Sequence, residues 1–196
     1  DVLGASPAAR AVFAESDDVL GGALAKTILE GPAAELVRTD NAQPAILCVS
    51  IAMLRAMQER LGARMPTPAY LAGHSLGEYT ALAVAGVLDI ADTARLVQAR
   101  GQLMQEACEK NPGTMAAVLG LDEMTMAEIA RETGTYVSNV NTAEQIVISG
   151  DRIAIAQALD LASARGAKRV LPLRVGGAFH SGLMEPATDG LIEEFN

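Results

Sequence analysis

The sequence predicts an α/β fold in two parts, a larger α/β body built on a short parallel sheet and a smaller βαββαβ subdomain inserted into it. Three observations predict this fold. Half of the 196 residues are apolar, which is enough to bury a real core. A serine flanked by glycines follows a short apolar run and precedes a helix-forming run, as in a sharp strand-to-helix turn. Strand-like and helix-like segments alternate over 113–176, which leaves 1–112 and 177–196 for the body.

Most of the larger part is predicted to be helical. Ser6 followed by Pro7 indicates a helix start, because a capping hydroxyl and a proline at the first helical position both suit a helix N-terminus. The longest helix is predicted to open at Pro44 and close at Gly62. The predicted helices after the first one cover residues 22–29, 41–61, 77–84 and 91–108. The short apolar run at 69–72, with prolines and a glycine nearby, predicts a buried strand.

The smaller part alternates between strands and helices. Strands are predicted over residues 115–120, 136–141, 146–150 and 168–175, and helices over 122–134 and 151–167. This order of elements is the split pattern of a ferredoxin-like unit, so we expect a ferredoxin-like subdomain at 113–176. The serine turn in the larger part is typical of an α/β-hydrolase-like body.

Charge and cysteine content exclude several classes of function. The net charge of −9 argues against a nucleic-acid-binding or anionic-membrane surface, since both need clustered Lys and Arg. Cys48 and Cys108 lie in helix-like segments, which fits neither a disulfide framework nor a metal site. The apolar run from Pro44 to Leu54 is too short to span a bilayer. We therefore expect a cytoplasmic protein with no metal, no cofactor, and no membrane or nucleic-acid partner.

Ser75 in "AYLAGHSLGEY" is the candidate nucleophile. A strand that turns sharply into a helix exposes a serine hydroxyl when its flanking residues are small, and Gly73 and Gly77 meet that need. The backbone N–H of Leu76, at the start of the helix, is then placed to stabilise an oxyanion. The pattern alone is weak, and a polar serine in an ordinary turn is the other interpretation.

The serine needs a general base, and the chain contains only two histidines. His74 is next to Ser75, but adjacent side chains at a strand end point to opposite faces, so we expect a packed or supporting histidine. His180, in "VGGAFHSGLMEP", is the better candidate for the base, although an ordinary loop histidine fits the same sequence. Ser181 is predicted to cap the next helix.

Arg100 occupies the apolar face of a predicted helix. The helical period places it at the centre of a stripe that includes Leu96, Val97 and Leu103, whereas Arg95 projects from the opposite side. Burying a guanidinium costs free energy unless a carboxylate pairs with it. That partner is either an Asp or Glu of the protein or a substrate carboxylate, unless the side chain extends to water.

Four segments, in this order, resemble the malonyl-CoA:acyl carrier protein transacylase family. They are "GHSLGEY", "RLVQARGQLMQEA", "SNVNTAEQIVISG" and "GAFHSGLMEP". The resemblance covers essentially the whole chain, including "AQPAIL" at 42–47. In that family the serine of the first segment carries the acyl group and the arginine of the second binds the free malonyl carboxylate, which implies these roles for Ser75 and Arg100. The histidine of the fourth segment is the base, which implies this role for His180.

Other positions also match the family. Phe179 matches the phenylalanine that accompanies malonyl rather than methylmalonyl selection. Asn139 and Asn141 match an N-x-N pair that we expect to fix loops around the pocket; turn-forming asparagines fit the sequence equally well. The family begins with a strand and a G-Q-G-S loop that completes the oxyanion hole, and it ends with a strand and a loop that orients the histidine. We expect both segments to lie outside the 196 residues.

The resemblance implies an acyltransferase that moves malonyl from malonyl-CoA to the phosphopantetheine thiol of acyl carrier protein through a malonyl-serine ester. Malonyl-CoA and acyl carrier protein are the expected partners, and a monomer is the expected state. Lys168, Arg169 and Arg174 are either a patch that docks the acidic carrier protein or ordinary charges at a strand end.

Two other functions stay open. A serine hydrolase or thioesterase of the α/β-hydrolase type predicts an Asp or Glu paired with His180 and no use for an inward Arg100. A non-catalytic, acyltransferase-like docking module of a larger synthase is the second alternative.

Overall fold

The computed structural model describes residues 2–194 and divides the chain after Gln102 into two compact units. The first unit is helical and the second contains a four-stranded sheet, so the fold belongs to the α/β class. The helices are α1 (Val2–Ala5), α2 (Pro7–Leu20), α3 (Leu24–Glu30), α4 (Ala33–Val37), α5 (Thr39–Leu61), α6 (Leu76–Val84), α7 (Ile90–Lys110), α8 (Glu123–Thr133), α9 (Arg152–Ala164) and α10 (Pro186–Glu194). None of the helices formed by residues 2–194 has both the length and the apolar character that a membrane crossing requires.

The predicted start of α2 is confirmed. Ser6 Oγ accepts the N–H of Ala9 at 3.0 Å, which satisfies one of the free donors of the first turn. The helix ends at Gly21, whose φ of 63° is the left-handed conformation that glycine adopts without strain.

The long helix α5 begins earlier than predicted. It starts at Thr39, and Pro44 lies inside it rather than at its opening. The carbonyl of Arg38 accepts the N–H of Ala42 at 2.8 Å, so helical hydrogen bonding is established before the proline is reached. Pro44 is tolerated because its fixed φ is helical, and only one hydrogen-bond donor near the N-terminus is lost.

The apolar core of the first unit lies among α2, α5 and α7. Val12, Leu47, Ile51 and Val97 belong to it, and each is at most 4% exposed. Their burial follows the helical period, with Leu47 and Ile51 one turn apart on α5. This packing holds α7 against α5.

The predicted buried strand at 69–72 is not formed. This segment is exposed, with Tyr70 92% and Leu71 42% accessible, and it carries no ladder hydrogen bonds. A strand exists only through hydrogen bonds to a neighbouring strand, and residues 2–102 form no strand at all. No parallel strand pair occurs among residues 2–194.

The second unit has the predicted alternation of strands and helices. Its strands are β1 (Thr114–Leu119), β2 (Tyr136–Thr142), β3 (Gln145–Gly150) and β4 (Arg169–Pro172). They form one sheet in the order β2-β3-β1-β4, and each neighbouring pair is antiparallel. Val118 and Ile148 from the sheet pack with Met126 and Ile129 of α8, and all four are 0% exposed. This core fixes the sheet beneath α8 and α9.

Residues 177–194 group with this sheet-containing unit. A Cβ on Gly177 would lie 2.1 Å from Cys108 Sγ, and one on Gly113 would lie 2.6 Å from the Ala178 Cβ. Met184 and Ala187 pack with Cys108 in the same small core. The division into compact units falls after Gln102, and the subdomain boundaries at 112 and 176 stay predictions from the sequence.

Candidate active site

Ser75 lies at a sharp backbone turn that depends on the glycine at position 73. Its φ of 51° is in the left-handed region that non-glycine residues rarely adopt. A Cβ on Gly73 would fall 1.9 Å from both the carbonyl carbon and the oxygen of Gly77, so the chain before the serine lies directly on the first turn of α6. Strain of this kind is found where a functional group must be held in one place. The sharp turn predicted at Ser75 is present, although it follows an unpaired segment instead of a strand.

The hydroxyl of Ser75 is not used to cap α6. Ser75 occupies the N-cap position, but its side chain accepts no hydrogen bond from the helix backbone. Its Oγ instead accepts a hydrogen bond from Arg100 Nη2 at 3.1 Å. Because Oγ is the acceptor in this bond, its own proton remains available to a base. An ordinary capping or turn serine does not explain this arrangement.

The start of α6 places a backbone donor next to the serine. Leu76 is the first residue of the helix and is 7% exposed. The N–H groups of Gly77 and Glu78 bond to the carbonyls of His74 and Ser75 at 2.9 and 3.2 Å. The N–H of Leu76 comes before these, at a position where a helix offers no carbonyl partner. This geometry is compatible with the predicted oxyanion donor.

Arg100 is held by neutral groups. Its Nη1 donates to Gln43 Oε1, its Nη2 donates to Ser75 Oγ, and its Cζ lies 5.5 Å from the centroid of the Tyr79 ring. Among residues 2–194, no Asp or Glu carboxylate lies within ion-pair distance of this guanidinium. The structural ion pair considered from the sequence is therefore not formed. The side chain is partly buried and retains an unneutralised positive charge beside the candidate nucleophile.

His180 lies in the second unit, in the turn that follows β4. It is exposed and has a φ of 56°; Ser75 is the other non-glycine residue between 2 and 194 with positive φ. Ser181 caps the next turn as predicted, with its Oγ accepting the N–H of Leu183 at 3.2 Å and donating to the carbonyl of Ala178 at 2.5 Å. The short helical turn beyond His180 is thereby fixed by its neighbour.

The other predicted site residues have varied surroundings. Phe179 is partly buried and packs against the core that contains Cys108 and Met184. His74 is exposed, which does not fit a packed histidine, and its supporting role stays a prediction. Asn139 and Asn141 lie in the edge strand β2 and not in the turn that follows it. The pairing of β2 with β3 is irregular near both residues. Asn141 Nδ2 donates to Gln145 Oε1 at 3.3 Å.

Two residues at this site, Gln43 and Tyr79, were not found from the sequence. Gln43 is 6% exposed and lies one turn before Leu47 on the buried line of α5. A glutamine that continues a buried apolar stripe is the signal that would have identified it, because a buried amide needs hydrogen-bond partners. Tyr79 is one helical turn after Ser75 in "GHSLGEY". Its spacing of four residues, which places both on one face of a helix, was the only sequence signal that it lies near Ser75.

No metal-binding cluster is evident in the part of the chain that the structure describes. Within residues 2–194, no three His, Cys, Asp or Glu side chains are grouped closely enough to hold a metal ion. The chemistry available at Ser75 is that of a hydroxyl beside a fixed cation and a helix N-terminus. This combination suits attack on a carbonyl carbon whose substituent carries a negative charge.

The comparisons with known proteins show the family of the chain. The chain belongs to the acyl transferase domain family, whose model matches residues 1–196. Among its relatives, it is 44% identical to the malonyl CoA-acyl carrier protein transacylase of Escherichia coli (strain K12) over 99% of this chain and 63% of the relative. It is 45% identical to the protein of the same description from Bacillus subtilis (strain 168), over 95% of this chain and 59% of the relative.

Solved structures of proteins with similar descriptions have a similar fold. An acyl-carrier-protein-S-malonyltransferase from Bartonella henselae superposes with a TM-score of 0.90 at 44% identity, covering 98% of this chain and 63% of that one. A malonyl-transacylase in complex with a type II polyketide synthase acyl-carrier protein gives 0.90 at 43% identity, over 97% of this chain and 62% of that one. The chain therefore spans a little under two thirds of the length of these relatives.

Proposed function

We propose that the protein is an [acyl-carrier-protein] S-malonyltransferase, which moves a malonyl group from malonyl-CoA to the phosphopantetheine thiol of acyl carrier protein. One observation carries the proposal: Arg100 donates to the Ser75 hydroxyl and meets no carboxylate of residues 2–194. A cation held beside a nucleophile suits an acyl group with a free carboxylate at its far end. The relatives named for this activity support the proposal.

The proposed reaction has two acyl transfers. His180 accepts the proton of Ser75 Oγ as the oxygen attacks the thioester carbonyl of malonyl-CoA. The Leu76 N–H stabilises the oxyanion, and the C–S bond breaks as CoA leaves with the proton from His180. In the second half, the pantetheine thiol gives its proton to His180 and its sulfur attacks the malonyl-serine ester. The Oγ of Ser75 then leaves the acyl carbon and recovers its proton from His180.

Arg100 selects the acyl group in this proposal. Its guanidinium binds the malonyl carboxylate through both transfers, so an acetyl group, which has no carboxylate, gains nothing from it. Phe179 is proposed to contact the methylene side of the acyl group and to favour malonyl over methylmalonyl. His74, Asn139 and Asn141 are proposed to support the loops around the site.

The finer features of the fold are also proposed. The antiparallel order β2-β3-β1-β4 and the succession βαββαβ support a ferredoxin-like subdomain at 113–176. We propose that it is inserted into an α/β-hydrolase-like body formed from 1–112 and 177–196.

The partners follow from the same proposal. Arg169 and Arg174 are exposed and remain candidates for docking the acidic carrier protein. Lys168 pairs with Glu144 at 2.9 Å, as ordinary strand-end charges do, and this favours the alternative interpretation for that residue. The enzyme is proposed to act as a monomer.

The test is to incubate the purified protein with malonyl-CoA and measure its intact mass. A malonyl adduct that is absent in Ser75→Ala, and that passes to added holo acyl carrier protein, is the expected result. Rapid release of free malonate without carrier protein would favour the hydrolase, for which Arg100 has no assigned use. A wild-type protein that takes up no acyl group would favour the non-catalytic docking module.

A further inference from the structure

Gln43 contacts the guanidinium of Arg100 from a buried position. It lies on α5, is 6% exposed, and accepts a hydrogen bond from Arg100 Nη1 through its side-chain carbonyl oxygen. The other end of the same amide, Nε2, donates to Thr39 Oγ1 at 2.6 Å. Thr39 is 7% exposed, so both ends of the amide are bonded to groups that are themselves buried or partly buried.

These two hydrogen bonds fix the orientation of the Gln43 amide. A flipped amide would direct its N–H₂ group at the N–H donors of Arg100, and two donors cannot bond each other. In the observed orientation, the carbonyl oxygen accepts from Arg100 and the N–H₂ group finds an acceptor in Thr39. Gln43 therefore holds one arm of the guanidinium while the other arm reaches Ser75.

The backbone next to Arg100 reinforces this arrangement. A Cβ on Gly101 would lie 2.7 Å from the Thr39 carbonyl oxygen and 2.9 Å from the Asp40 Cα. Only glycine allows α7 to approach the first turn of α5 so closely. The approach sets the distance between Arg100 on α7 and the buried pair of Gln43 and Thr39 on α5.

The charge of the acceptor is as important as its position. A buried arginine is usually answered by a carboxylate, which would also neutralise it. Here the acceptor is a neutral amide oxygen. Arg100 is thus fixed in direction while its positive charge stays available to an incoming anion.

We propose that Gln43 is a positioning residue that sets acyl selectivity, because it orients Arg100 without neutralising it. This inference rests on the proposed function and adds to it a specificity determinant outside the predicted site residues. A glutamate at this position would keep the hydrogen bond to Arg100 and supply a competing negative charge. A methionine would have nearly the same size but could not hold the guanidinium.

The experiment compares Gln43→Glu and Gln43→Met with the wild-type protein, using malonyl-CoA and acetyl-CoA as separate acyl donors. Gln43→Glu is expected to lower the malonyl-to-acetyl ratio of kcat/KM by about tenfold or more, because a charge-assisted hydrogen bond to the substrate is lost. The loss should appear mainly as a higher KM for malonyl-CoA. Gln43→Met is expected to lower kcat for malonyl transfer. Gln58→Glu adds the same charge at an exposed position on the same helix and serves as the control, with the wild-type ratio expected.

Thermal unfolding separates this inference from the proposed function. Gln43→Glu is expected to raise Tm at low salt, through an ion pair with Arg100, and Gln43→Met to lower it. A folded Gln43→Glu variant with the wild-type selectivity ratio, or with a Tm no higher than that of Gln43→Met, would overturn the role of Gln43. An absence of any wild-type acyl adduct would contradict the proposed function and with it a role for Gln43 in selectivity. The two Tm shifts would still show whether Gln43 holds Arg100 in the folded protein.

Discussion

At the scale of single residues, the fork geometry of Arg100 connects three groups. One guanidinium donates to Gln43 and to Ser75 and lies over the Tyr79 ring. A lysine carries the same charge on one nitrogen atom and cannot reproduce two parallel donors in a fixed plane. We therefore expect an arginine at position 100 to act better than a lysine, although both carry the same charge.

Arg100→Lys tests this point. We expect it to retain a preference for malonyl over acetyl but to lower kcat/KM for malonyl-CoA by about tenfold or more, since one of two charge-assisted hydrogen bonds is lost. Steady-state kinetics with both donors measures the change. Arg95→Lys, on the exposed side of α7, is the matched control. Equal kinetics for Arg100→Lys and wild type would show that the fork geometry is not used.

The side chain of Thr80 on α6 lowers the stability of the folded protein. Its Oγ1 is buried and has no hydrogen-bond partner, the one such side-chain atom among residues 2–194. Thr80→Val has nearly the same shape and removes this orphaned hydroxyl. We expect it to raise the free energy of unfolding by about 1 kcal/mol, as measured by urea denaturation. Thr93→Val is the contrasting variant, because Thr93 Oγ1 donates to the Asp89 carbonyl at 2.6 Å and its loss should destabilise the protein.

At the scale of elements, the turn into α6 depends on contact between two glycine backbones. The position of Gly73 against Gly77 leaves no room for a methyl group, whereas a Cβ on Gly77 would meet nothing within 4 Å. The two glycines that frame Ser75 in the sequence therefore have different physical roles.

Substitution by alanine separates these two roles. Gly73→Ala is expected to lower the free energy of unfolding by roughly 3 kcal/mol or more, because the clash is with rigid backbone. Gly77→Ala places a better helix former in α6 and is expected to raise it by about 0.5–1 kcal/mol. Chemical denaturation of both variants provides the comparison. Similar stability for Gly73→Ala and Gly77→Ala would contradict the close approach.

The elements also show how far sequence reasoning reaches. Caps and periodicity predicted α2, α7 and the βαββαβ succession, because these signals are local and depend on residues a few positions apart. The segment at 69–72 has the composition of a strand, but a strand needs a neighbour, and no local pattern supplies one. Arg100 was found because a charge interrupted an apolar stripe. Its holder Gln43 is distant in sequence, and only packing of α5 against α7 brings the two together.

At the scale of the whole molecule, each compact unit contains one buried cysteine. Cys48 lies in the first unit and Cys108 in the second, and both are at most 6% exposed. Burial raises the pKa of both thiols above the ordinary value of 9.0, because the thiolate is disfavoured away from water. In each case a nearby carboxylate acts in the same direction, from Asp17 on Cys48 and from Glu109 on Cys108.

These raised pKa values predict a stability that falls at alkaline pH. The folded state keeps its thiol protons where the unfolded chain begins to lose them, so stability is complete below the ordinary thiol pKa and declines as pH rises past it. Urea denaturation between pH 7 and pH 10 should show this decline, and it should be smaller in a Cys48→Ala, Cys108→Ala double variant. An identical pH dependence in both proteins would contradict the assignment.

The central claim is that Ser75 carries an acyl group which the charge of Arg100 selects. Competition labelling tests it most directly: the protein is mixed with equal amounts of malonyl-CoA and acetyl-CoA, quenched and digested, and the adduct on the Ser75 peptide is identified by mass spectrometry. Wild-type protein is expected to carry malonyl on Ser75 almost exclusively, and Arg100→Ala to carry acetyl in the larger share. Acyl groups on another residue, or the same malonyl preference with and without Arg100, would contradict the claim.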